Sequence, residues 1–196
     1  MLPSSVVAKL TGGNLVIRGL ADQPKDILIQ SDTASPGNLT VTGRSGTTIN
    51  GSSRQSFPLS KLSRDLRLEL GGKVRLEFDG TGIALKGHLQ LTLRGTGDHE
   101  VRMTNIQVRR EVSISTAAGD DVIQLTNFRA GATRISTAGG DDRVVLSTDP
   151  AVVASASENV SGQTKIRVGA VMTWRPSKSP DFFPASFWRV VEVTTT

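Results

Sequence analysis

The feature that most constrains this chain is a set of residues that returns in one register every 21 to 24 positions. Gly97, Gly119 and Gly140 are spaced by 22 and 21 residues. Asp98, Asp120 and Asp141 follow them in step, as do Val101, Ile123 and Val144. Met103, Leu125 and Leu146 keep the register, and so do Asn105 and Asn127. Upstream, Leu66, Leu68 and Leu70 return as Leu89, Leu91 and Leu93 after 23 residues. The stretch 13–19 (GNLVIRG) returns as 37–43 (GNLTVTG) after 24. A recurring glycine alone means little. Glycine, acid, aliphatic and amide columns in one register mean a repeated structural unit.

Inside each unit the rhythm is two. Leu66, Leu68 and Leu70 alternate with Arg67 and Glu69, and Val74, Leu76 and Phe78 alternate with Arg75 and Glu77. Such strands bury one face and wet the other. Residues 66–88 divide into a strand at 66–70, Gly71-Gly72, a strand at 74–78, Asp79-Gly80-Thr81-Gly82, and a strand at 83–85. Three strands with glycine corners close a triangular rung, which buries its apolar sides only by stacking on its neighbours. The expected fold is therefore all-β, a parallel β-helix or solenoid with rungs of about 21–24 residues, stacked about 4.8 Å apart. Rung starts fall near 12, 37, 66, 89, 112, 133 and 158, which makes six or seven rungs. The competing fold is an antiparallel β-sandwich, in which 66–70 and 74–78 form a hairpin around Gly71-Gly72. Helical spacing occurs only in 58–66, through Leu59, Leu62 and Leu66, and marks a single turn or part of an insertion.

The chain reads as a single domain, 1–196, with β-solenoid rungs over 12–157, an insertion at 44–65, and a last rung and C-terminal cap over 158–196. An open solenoid leaves strand edges at both ends that need covering. Trp174, Phe182, Phe183, Phe187 and Trp188 are five of the eight aromatic residues, and Pro176, Pro180 and Pro184 interrupt any ladder among them. An aromatic-rich cap over the last rung is expected. The same five aromatics offer a surface for self-association, which would suit a trimeric fibre or tail-spike segment.

Charge and composition narrow the chemistry. There are 23 Lys and Arg against 18 Asp and Glu, a net charge of +5, and no Cys. A basic balance suits a polyanionic partner. Arg109-Arg110 is the only adjacent basic pair, however, so a dispersed, solvated set of charges is the favoured reading. The absence of thiols excludes Cys-ligated zinc, iron–sulfur clusters, cysteine nucleophiles and a disulfide scaffold. No run of about 18 apolar residues is present to form a membrane-spanning helix. Residues 1–10 lack a basic stretch followed by an apolar one, which suits a cytoplasmic chain or one that starts after a removed signal.

The acidic corner carries the most chemistry. Residues 116–123 (TAAGDDVI) match 137–144 (TAGGDDRV), and Asp98 and Glu100 hold the corresponding corner one rung earlier. Stacked one rung apart, about 5 Å, these carboxylates disfavour one another's ionisation unless something neutralises them. A hard cation bound by oxygens, Ca²⁺ in particular, would do so, as would Arg143 or solvent. Aspartate also favours turns with no ligand at all. The candidate metal residues are Asp120, Asp121, Asp141 and Asp142.

At Gly119-Asp120-Asp121-Val122-Ile123 and Gly140-Asp141-Asp142-Arg143-Val144 the chain resembles the calcium-binding glycine-rich nonapeptide repeats of secreted bacterial proteins. Thr116-Ala117 and Thr137-Ala138 stand where those repeats have a glycine pair, and the period here is 21. More broadly, the rungs resemble extracellular bacterial parallel β-helix proteins, which include structural fibres and polysaccharide-acting enzymes. The resemblance implies an extracellular or cell-surface setting, Ca²⁺ as an optional cofactor, and an acidic glycan or cell-surface component as partner. It implies no nucleic-acid ligand.

Signals for catalysis are few. The two histidines are His88 and His99, and His99 reads as an exposed corner residue whose neighbours Asp98 and Glu100 favour its charged form. There is no Gly-x-Ser-x-Gly elbow, phosphate loop, dinucleotide fingerprint or His-Glu-x-x-His. Polysaccharide lyases built on β-helices combine Asp-bound calcium with a basic residue, and Arg102, Arg134 and Arg143 are the candidates for that place. Short loops between rungs offer no cleft to exclude water. Asn105/Asn127 and Asn14/Asn38 are candidates for stacked amide ladders. The expected function is a non-catalytic structural, adhesive or surface-binding module. The alternative is a protein that binds or cleaves acidic polysaccharide.

Overall fold

A computed structural model describes residues 4–32, 34–147, 159–161, 164–169 and 192–195, with side chains described up to Leu146. The repeat predicted from the columns is present as about four stacked coils. Strands β2 (Asn14–Gly19), β7 (Leu66–Gly71), β10 (Leu89–Arg94), β12 (Gln107–Ser115) and β14 (Arg129–Thr137) lie side by side, all parallel, in one sheet. Strands β3 (Lys25–Ser31), β8 (Val74–Asp79), β11 (Glu100–Thr104), β13 (Val122–Thr126) and β15 (Asp141–Ser147) do the same in a second. A short third wall is made by β9 (Ala84–Leu85) against the first residues of β12, and those against the first residues of β14.

The sandwich alternative fails at its proposed hairpin. β7 and β8 do not pair; each joins a different sheet, and Gly72, at φ +71°, turns the corner between them. Apolar columns fill the interior because alternation points every second residue inward. Ile17, Leu68, Leu91, Ile114 and Ile135 stack along the first wall. Ile27, Leu76, Val101, Ile123 and Val144 face them from the second. Leu85, Val108 and Ala130 line the third, with Ile83, Ile106 and Phe128 buried beside them. Burying each such Leu, Ile or Val stabilises the fold by about 1.5–3 kcal/mol.

Two expectations need correction. The stretch 37–43 does not begin a rung. It lies in β4 (Asn38–Arg44), which runs antiparallel to β3 in the second sheet. Asp32 turns the chain back, its Oδ1 accepting from the Ala34 N–H at 3.0 Å and the Ser35 N–H at 3.3 Å. Alternation marks a strand but carries no direction, so its likeness to 13–19 overcounts the coils: about four form, not six or seven. The expected helical turn is a single 3-10 turn at Leu59–Lys61.

Antiparallel strands flank the parallel stack. At one end β1 (Ser4–Thr11) runs against β2, β5 (Thr47–Ile49) extends β1, and β6 (Arg54–Pro58) runs against β4. At the other, β16 (Asn159–Ser161) pairs antiparallel with β15, β17 (Thr164–Gly169) with β14, and β18 (Glu192–Thr195) with β17. Trp174, Phe182, Phe183, Phe187 and Trp188 lie outside the described residues.

Candidate functional site

The acidic corner joins the first sheet to the second. Gly119 and Gly140 sit there with φ of +143° and +130°, and a Cβ on Gly140 would be driven into the Gly119 carbonyl. Only glycine lets successive rungs approach this closely. The two aspartates that follow point to opposite sides. Asp120 and Asp141 are exposed, whereas Asp121 and Asp142 are fully buried.

Each set forms a side-chain-to-backbone ladder along the stack. Outside, Asp98 Oδ1 accepts from the Asp120 N–H at 3.1 Å, and Asp120 Oδ1 accepts from the Asp141 N–H at 2.8 Å. Inside, the direction reverses: Asp142 Oδ1 accepts from the Asp121 N–H at 3.1 Å, and Asp121 Oδ1 from the His99 N–H at 2.8 Å. His99 Nδ1 continues the run by accepting from the Val74 N–H at 3.3 Å. The recurring carboxylates thus supply acceptors to corner N–H groups. Side-chain acceptors of this kind are how irregular backbone satisfies its donors.

The four candidate metal residues therefore do not converge. Two carboxyls face water, two face the core, and each of Asp120, Asp121 and Asp142 holds an N–H of a neighbouring rung. Among the described residues no group of three or more His, Asp or Glu side chains is arranged to hold a metal ion. Calcium needs 6–8 oxygens in one shell, and this corner does not gather them.

The interior column has an unusual sequence of side chains, one near the start of each of the five parallel strands of the second sheet: Lys25, Val74, His99, Asp121 and Asp142. His99 is 1 % exposed, so the expectation of an exposed corner histidine is overturned. It is the alternation of the strand, not the charge of Asp98 and Glu100, that decides where it points. Burial depresses the His99 pKa against the opposing pull of Asp98. Because Nδ1 accepts a hydrogen bond, the neutral ring carries its proton on Nε2, which has no partner among the described residues. Burial pushes the Asp121 carboxyl up to about 6, against the nearby Thr116 hydroxyl and the His99 N–H, and Asp142 and Asp98 add to the rise. Among the described residues, Asp142 Oδ2 and the Thr137 hydroxyl are also buried without hydrogen-bond partners.

Lys25 lies at the far end of this column. Its Nζ donates to the carbonyls of Ala21, of Gln23 at 2.8 Å and of Gly71 at 2.7 Å. Burial lowers its pKa, against the attraction of Asp22. Nothing in the local sequence marks it, since a lysine ahead of an apolar strand usually reads as exposed.

A second feature lies where each coil returns to the first sheet. Arg64, Arg67, Lys86, His88 and Arg110 surround Asp65 in a shallow depression of about 320 Å³, with Asn14 and Ser63 beside them. Asp65 Oδ2 pairs with Arg67 Nη2 at 2.9 Å, and its Oδ1 accepts from the His88 N–H at 3.0 Å. Burial tends to raise the Asp65 pKa, but the His88 N–H and Arg67 outweigh it and hold the carboxyl below its usual range. Arg110 belongs to a bulge, the register of β12 against β14 shifting between Val108 and Glu111. Bulges re-aim the side chains they carry.

Of the arginines expected to approach the acidic corner, Arg102 pairs through Nε with Glu100 of that corner at 2.7 Å, whereas Arg134 Nη1 pairs with Glu111 at 3.4 Å. The Asn105/Asn127 amide ladder is present, with Asn127 Nδ2 donating to Asn105 Oδ1 at 2.7 Å. Asn14 and Asn38 fall in different sheets and form none.

Parallel coils with laddered corners define a β-solenoid protein. Comparison with protein-family models, with curated proteins and with solved structures finds no match to this chain.

Proposed function

We propose that this chain is a non-catalytic, surface-binding β-solenoid module that works outside the cell or at its surface. The observation that carries the reading is the outer face of the first sheet over β10, β12 and β14. Gln90, Ser113 and Arg134 form one outward column, and Thr92, Ser115 and Ser136 form the next. The inner face of the same strands is core, so these side chains stand on a sheet packed from behind. Short hydroxyl side chains lose little rotamer entropy when immobilised. An array repeating at the rung spacing suits a partner that is itself flat and repetitive, such as a polysaccharide surface.

Adsorption of the full chain to cellulose, chitin and cross-linked pectate tests this. The double variant Ser113→Glu/Ser115→Glu, shown to be folded by circular dichroism, is expected to adsorb less. No sugar or unsaturated product is expected to be released. Unchanged adsorption of that variant overturns the role of the face, and turnover of any of the polymers overturns the non-catalytic reading.

A further inference from the structure

We infer that the depression at the returning corner is a binding site for the anionic groups, carboxylate or sulfate, of an acidic glycan. Arg64, Lys86 and Arg110 are spaced by 22 and 24 residues, one coil apart each. They look dispersed along the chain, yet coiling brings them to the rim of one depression. All three are exposed. None has an ion pair among the described residues, whereas the lone acid of the depression, Asp65, is occupied by Arg67 and the His88 N–H. Uncompensated cations in a partly enclosed hollow concentrate positive potential there.

The lining also discriminates between polyanions. Among the described residues no Phe or Trp borders the depression, so it lacks the large aromatic platforms on which successive nucleic-acid bases stack. Asn14 and Ser63 instead place an amide and a hydroxyl beside the cations, partners for the hydroxyls that flank a charge on a sugar ring. Cations recurring along the stack suit a polymer whose charges recur along its chain. The site gives the surface-binding module a ligand class and rests on that reading.

Calorimetric titration of the full chain at low salt provides the test, with oligogalacturonate, a sulfated oligosaccharide, a neutral oligogalactan and a single-stranded oligonucleotide as probes. The variant Lys86→Gln/Arg110→Gln removes two cations from the depression. The charge-matched control Lys73→Gln/Arg94→Gln removes two exposed ones from the opposite corner. The native chain is expected to bind an anionic oligosaccharide and not the neutral one, with affinity falling as salt rises. Affinity should fall about ten-fold or more in the depression variant and stay near native in the control. The uronate and sulfate probes identify which anion is preferred. Equal losses in both variants would assign binding to diffuse charge and overturn the site. So would absence of binding to either anionic oligosaccharide, or tighter binding of the oligonucleotide. If pectate adsorption persists in the depression variant but is lost in Ser113→Glu/Ser115→Glu, the site fails and the surface-binding reading stands. If the native chain adsorbs to no polymer, both fail.

Discussion

Asp121 shows how a single position couples the fold to pH. Its carboxyl is fully buried and pushed up to about 6. A raised carboxyl pKa means that the folded chain holds a proton which the unfolded chain releases near 4. Stability is therefore fully present below the unfolded value and is lost as pH rises toward 6. A shift of about two units corresponds to roughly 3 kcal/mol. His99 acts with the opposite sign: its depressed pKa means that the unfolded chain gains a proton below about 6.5 that the buried ring does not. Asp121→Asn keeps an Oδ1 acceptor for the His99 N–H and removes the charge. This variant should match the native chain at pH 4, exceed it by roughly 2–3 kcal/mol at pH 8, and retain the acid-side loss due to His99. Urea midpoints at the two pH values measure this, and a native-like decline in the variant would show that Asp121 is not its source.

At the scale of elements, the corners distinguish this solenoid from a set of strands. Asn105 and Asn127 turn the chain from the second sheet into the third wall with φ of +55° and +47°. Asparagine tolerates that region because its side chain hydrogen-bonds locally. Asn105 Nδ2 donates to Thr81 Oγ1 at 2.8 Å, and Asn105 Oδ1 accepts from Asn127. Asn105→Ala should cost about 2–3 kcal/mol, from the strained backbone and the lost amide bonds together. Asn105→Gly should cost less, because glycine relieves the backbone term alone. Thermal unfolding of both compares them; an alanine variant as stable as the glycine one would show that the backbone conformation contributes nothing. Gly140 is stricter, since there the obstacle is the carbonyl of the preceding rung.

For the whole molecule, the parallel coils lie between antiparallel strands at both ends, an arrangement that pairs edges otherwise open to other chains. The corner carboxylates are part of the same internal bonding, so the stack should not depend on calcium. Melting temperatures with millimolar calcium and with excess chelator are expected to coincide. An upward shift with calcium alone would mean that the carboxyls leave their backbone N–H partners to form a metal shell.

The fold was largely legible in the chain. Period-two alternation set the strands, and matched Gly, Asp, aliphatic and Asn columns set the coils and their register from residue 66 onward. What alternation could not carry was strand direction, which is why 37–43 looked like a rung and forms a returning hairpin strand. Direction depends on where the preceding turn sends the chain, and Asp32 sends it back. The sites were less legible. Neighbouring aspartates look like one cluster in sequence, but pleating puts them on opposite sides of a wall. Arg64, Lys86 and Arg110 look scattered, but coiling at 22 and 24 residues gathers them. The sequence by itself determined the repeat, the inward columns and the glycine corners, because these depend on local pattern. Only the tertiary structure decided which charges share a space, because that depends on the coil bringing distant residues to one face.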